Sequence, residues 1–246
     1  MDMNFISLPN ISSFHYTDCA ECLNTSYLFD SASVIDSAVM VFKKYFRNLP
    51  EELFIINNHP NFPGPQAFPA RHLIFLTISA PENGGGFWSQ FVYQFSHELC
   101  HCLVFRTVPD KLRWFEESIC ELASHFLLLK IAEHWAIHPP HENWRSYASC
   151  FMSYEFSARK CNCFFPISEL LVPQSAILQS LEADEYQREL NRNVALKLLP
   201  FFIDNSELWN IIYYLPDALP DHSFPENLQL LQMKSRQPIY DIIRTL

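Results

Sequence analysis

The strongest constraint on this chain is a change in the period of its apolar residues. Two short runs, ELFIINN (52–58) and HLIFLTIS (72–79), are rich in β-branched and aromatic residues and bounded by turn formers, which is the pattern of strands. A proline-rich connector, HPNFPGPQAFPAR, joins them. From Phe87 onward the apolar residues instead recur every three or four positions, and proline-containing turns divide the rest of the chain into helical segments. Ahead of the strands, residues 30–49 place Val34, Ala38, Val41, Phe42 and Tyr45 at helical spacing and stop at Pro50, and the N-terminus before them reads as irregular. The expectation is an α+β fold: a small antiparallel or mixed sheet with helices in residues 1–140, continued by an all-helical part in residues 141–246.

A chain of 246 residues, 49% of them apolar, can bury a substantial core. Its 17 Lys+Arg against 27 Asp+Glu give a net charge of −10 with no local basic patch, which argues against nucleic acid or an anionic membrane as partner. The opening MDMNFISLPN has neither the basic nor the apolar stretch of a secretory signal, and no apolar run approaches the ~18 residues that span a bilayer. A cytoplasmic location is expected. The eight cysteines are scattered among helix-like segments and read as free thiols rather than a disulfide framework.

The chemistry concentrates in QFSHELCHCLVF (94–105). That segment lies on a helix expected from Phe87 to about Phe105; RTVPD breaks it, and Asp110 is placed to cap a second long helix, KLRWFEESICELASHFLLLKIAEHW. Residues four apart on a helix share a face, so His97 and His101 can aim ring nitrogens at one ion, while Glu98, about 100° around, can reach a water on that ion without binding it. Gln94, His97, Glu98 and His101 fall on one side of the helical wheel, and Val92, Phe95, Leu99 and Leu103 on the other. Two imidazoles alone hold zinc too weakly, so a third ligand is needed. The next helix offers Glu116, Glu117 and Glu121. At ~1.5 Å per residue, His101 lies about 6 Å before the turn and Glu117 about 9 Å after it, at similar heights in an antiparallel pair. Glu116 continues into an apolar stripe with Cys120, Ala123 and Leu127, whereas Glu117 aligns with Glu121 and Ser124. Glu117 is therefore the expected third ligand, and Glu121 the acceptor that orients a ligand histidine through its other N–H.

SHELCH followed by WFEESICELAS resembles the gluzincin zinc metallopeptidases, the thermolysin and aminopeptidase-like class, over residues 50 to 130. In that class a glutamate on the following helix completes a His-Glu-x-x-His site. The resemblance implies a zincin-like catalytic part in residues 1–140, zinc as cofactor, peptide or protein substrates, and Glu98 as general base on a zinc-bound water. It also implies a sheet edge that pairs with extended substrate, here HLIFLTIS. Relatives add a residue that stabilises the oxyanion; Tyr147, Tyr154 and His125 are the candidates. Two departures stand out. Only residues 102–116 separate His101 from Glu117, a tight connection, and Glu116 and Ser118 occupy positions where many relatives carry asparagine and glycine. A catalytically inactive interaction or scaffold protein on the same fold would keep the same motif.

Other clusters have plainer readings. Cys19 and Cys22 with Cys161 and Cys163 form a poor four-thiolate set, because the pairs are distant and the second is Cys-x-Cys. Cys100 and Cys102 suit small apolar fillers. His134, His138 and His141 read as surface histidines around Pro139-Pro140, and Trp209, Tyr213 and Tyr214 as core aromatics. Three of the four glycines, 84–86, form a loop before the motif helix that suits either a cleft rim or a plain linker.

Overall fold

The computed structural model describes residues 4–19, 25–78 and 87–246. The fold is α+β, with a small mixed five-stranded sheet and a mostly helical remainder. Two compact units emerge, each assembled from separate stretches: residues 1–103 with 127–158, and residues 104–126 with 159–246.

The first unit holds the sheet, in the order β1 (Ile6–Ser7), β2 (Phe14–Asp18), β3 (Leu53–Asn57), β5 (Leu73–Leu76), β4 (Gln66–Phe68). β2, β3 and β5 run parallel, and β1 and β4 are antiparallel to their neighbours. The parallel pair β2 and β3 needs a crossover, which helix α1 (Thr25–Phe42) supplies. Its inward face, Val34, Ile35, Ala38, Val39, Val41 and Phe42, is at most 1% exposed. The helix expected over 30–49 stops at Phe42 because Lys44 and Tyr45 donate to carbonyls three residues back, tightening the last turn, and Asn48 then takes a left-handed φ of 54°.

Two readings of the N-terminal half need correction. The N-terminus is not irregular: β2 occupies the sheet interior, with Phe14 and Tyr16 fully buried on alternate positions. HLIFLTIS, in turn, is not an edge. β5 lies between β3 and β4, because the proline-rich connector folds back as a short hairpin strand, and the edge belongs to β4.

Helix α2 (Trp88–His101) carries the motif and packs on β4 and β5; α4 (Ala148–Ala158) completes the first unit. Helix α3 (Arg113–Trp135) follows a 3-10 turn over Asp110–Leu112. Asp110 forms no side-chain cap there; its carboxylate pairs with Arg113 at 2.9 Å. The second unit adds α5 (Ala176–Ala183), α6 (Arg188–Asp204), a long 3-10 segment Ser206–Asp217, α7 (Phe224–Ser235) and α8 (Ile239–Thr245). Trp209 is 1% exposed and meets Phe126 and Phe202 edge to face, as expected of core. Among the described residues no helix is long and apolar enough to cross a membrane, and the seven described cysteines form no disulfide. The triple glycine and Cys22 lie outside the described residues.

Candidate metal centre

Helix α2 forms because one stripe of it can be buried: Phe91, Val92, Phe95 and Leu99 are each at most 1% exposed. The opposite stripe is polar and is organised along its length. At its upstream end Gln94 acts on the chain leaving β5: Thr77 donates its N–H to Gln94 Oε1 at 2.9 Å, and Gln94 Nε2 donates to the Thr77 carbonyl at 3.1 Å. Phe54 and Asn58 of the β3 side bond the carbonyls of His72 and Leu76, so even-numbered residues of β5 face β3. Thr77 faces the other way, beyond the end of β4, and Gln94 satisfies it there as a neighbouring strand would. This side chain ties the sheet to the helix one turn before His97. The wheel placed Gln94 on the functional face; its partner Thr77 was not visible from the sequence.

One turn further on, the rings of His97 and His101 lie 5.1 Å apart, centroid to centroid, and both are half-buried. One ligand atom each from His97, His101 and Glu117 comes within 4.8 Å of the others, and among the described residues this is the one group of three or more His, Cys, Asp or Glu so arranged. Glu116 and Glu121 are not part of it. Glu98 is 5% exposed, adjacent to His97 on the same helix.

Glu121, one turn beyond Glu117, is engaged by a residue the sequence did not single out. Arg192 of α6 donates from Nε to Glu121 Oε1 at 2.8 Å and from Nη1 to the Lys160 carbonyl at 3.1 Å. His125 Nε2 stands 3.6 Å from the same Glu121 oxygen, and His125 is fully buried. Of the oxyanion candidates, Tyr147 accepts from Ser89 N–H and Oγ at 3.3 and 3.4 Å. Ser89 is eight residues before His97, about 12 Å along the helix. His125 is eight residues beyond Glu117, again about 12 Å. Tyr154 instead packs on Tyr93 with centroids 5.9 Å apart, and Tyr93 is one turn before His97.

Burial pushes the Cys102 thiol up to about 12, and Cys100 is fully buried. Cys161 is likewise raised, chiefly by burial, and donates its S–H to the carbonyls of Cys163 and Glu189. No family model, curated protein or solved structure matches this chain. The functional reading therefore rests on the site itself.

Proposed function

We propose that the chain is a zinc-dependent metallopeptidase of gluzincin type on a zincin-like fold, hydrolysing peptide bonds in peptide or protein substrates in the cytoplasm. The observation that carries the proposal is the convergence of His97, His101 and Glu117 within 4.8 Å. Two imidazole nitrogens and one carboxylate oxygen are a donor set suited to a hydrolytic zinc site, in which three protein ligands leave room for solvent. When bound there, zinc supplies a Lewis acid that polarises a carbonyl and acidifies water.

The chain's own residues do the rest. His97 and His101 are held in register by the buried face of α2 and by the Gln94 bridge to Thr77. Glu98 takes a proton from the attacking water and returns it to the leaving amine. Tyr154, whose ring packs on Tyr93 one turn before His97, is the candidate for donating to the developing oxyanion. An extended substrate would pair with β4 instead of β5. Gln66 and Phe68 face β5, so Ala67 presents the outward N–H and carbonyl, and the flanking outward positions, Pro65 and Pro69, have no N–H to offer. Main-chain recognition would thus be brief, with side-chain pockets selecting the sequence.

The test is Glu98→Gln. Bound metal, measured by elemental analysis, is expected to stay stoichiometric, while cleavage of a mixed peptide library falls roughly 10²–10⁴-fold. Stoichiometric zinc with no Glu98-dependent cleavage would instead give a catalytically inactive scaffold on the same fold.

A further inference from the structure

Within the first unit, a pocket of about 340 Å³ is lined by Asn10, Ser33, Asp36, His134, His138 and His141, with Ser37 and apolar residues completing it. His134 sits in the last turn of α3, and the His138 amide donates to the His134 carbonyl at 2.7 Å, continuing the helical path one turn past the helix end. The two histidines therefore repeat the four-residue spacing of the motif, with ring centroids 5.6 Å apart against 5.1 Å for His97 and His101. His141 reaches the same pocket from the following loop, where its ring packs on Trp144 at 4.4 Å. The buried Asp36 carboxylate is fixed by two donors from Asn10, the backbone N–H at 2.9 Å and the side-chain amide at 2.5 Å.

We propose that this pocket is a second metal site, taking a divalent transition ion through His134, His138 and His141. Imidazole donors suit zinc, nickel and copper, not magnesium or calcium. The Asp36 carboxylate in the lining favours a cation, and the Lys44 ammonium, close enough to act on His134, partly offsets it. The three rings line the pocket without yet meeting at one point, unlike the first centre. His138 and His141 are exposed, and exposed side chains change rotamer in picoseconds to nanoseconds, so their rings are able to turn toward an ion. The ordering of these rings makes the second site the weaker one.

The experiment is calorimetric titration of Zn²⁺, and separately Ni²⁺, into tag-free protein stripped of metal. The native chain is expected to take up two equivalents. His138→Ala and His141→Ala should each lose the weaker equivalent and keep the tighter, and His97→Ala should do the reverse; both substituted pocket residues are exposed, so folding is not at stake. Uptake of no more than one equivalent that is insensitive to His138→Ala overturns the proposal, as does a weaker equivalent retained in the His138→Ala/His141→Ala double variant. A His138-dependent equivalent in a chain that lacks the His97-dependent one would keep the pocket and remove the peptidase reading, so the two stand or fall separately.

Discussion

Glu117 and Glu121 are the same residue type, one turn apart on the same stripe of α3, yet they meet different side chains. The Glu117 carboxylate has an oxygen within 4.8 Å of a ring nitrogen of each of His97 and His101. The Glu121 carboxylate already accepts a guanidinium N–H at 2.8 Å. A charge-assisted bond of that kind compensates the carboxylate and occupies a lone pair, which makes it a poor first choice for metal. The lesson is that ligand competence on a helix is decided by what the rest of the chain brings to each turn, and Arg192 arrives from 71 residues away.

The largest expected effect tests this contrast directly. Glu117→Gln should abolish tight metal retention, so that elemental analysis after dialysis finds far less than one equivalent. Glu121→Gln should retain it, weakened by at most about 10–100-fold, the range for a group that supports ligands without being one. Equal losses from both substitutions would break the comparison, and a larger loss at Glu121 would reverse it.

The same contrast explains what the sequence discloses. His97, Glu98 and His101 are spaced within one helix, so backbone periodicity alone places them on a face, and Glu117 follows from the length of one short turn. The buried stripes of α2 and α3 are legible for the same local reason. β2 is hidden because its identity depends on parallel pairing with β3 across a whole helix, and its five residues carry only the brief alternation of Phe14 and Tyr16. β5 looks like an edge until the connector is seen to fold back as β4. Arg192 carries no local signal at all: in sequence it is one more charge on a polar helix face, and only tertiary pairing with Glu121 distinguishes it.

Next in size is the stability that rests on that pair. Glu121 and Arg192 side chains are 12% and 21% exposed, so Arg192→Ala leaves a mostly buried carboxylate without its guanidinium. Breaking such pairs costs about 3–5 kcal/mol when fully buried, and the residual exposure here argues for the lower end, about 3 kcal/mol. Urea unfolding of Arg192→Ala should show that loss, while the His97-dependent equivalent of metal is retained. A variant that unfolds normally but loses its metal would show that Arg192 serves the centre through Glu121 and is not chiefly structural.

The smallest effect comes from a third carboxylate, nearer to solvent. Asp217, 20% exposed, bonds Arg106 and accepts from Lys234 at 3.0 Å; these side-chain bonds, Arg106 first, hold its carboxyl below the usual aspartate range. With Arg106 64% and Lys234 36% exposed, solvent and salt screen the pair, and its worth is no more than about 1 kcal/mol. Because the folded-state pKa is depressed, this stabilisation is present above the unfolded pKa of about 3.9 and disappears as the pH falls through the folded value. Asp217→Asn should therefore melt a few degrees lower at pH 7, with the gap narrowing as pH drops below about 4 and shrinking with added salt at neutral pH. A gap that persists unchanged at pH 2.5 would mean that packing, not charge, distinguishes the two side chains, and the ordering of these carboxylates by burial would lose its weakest member.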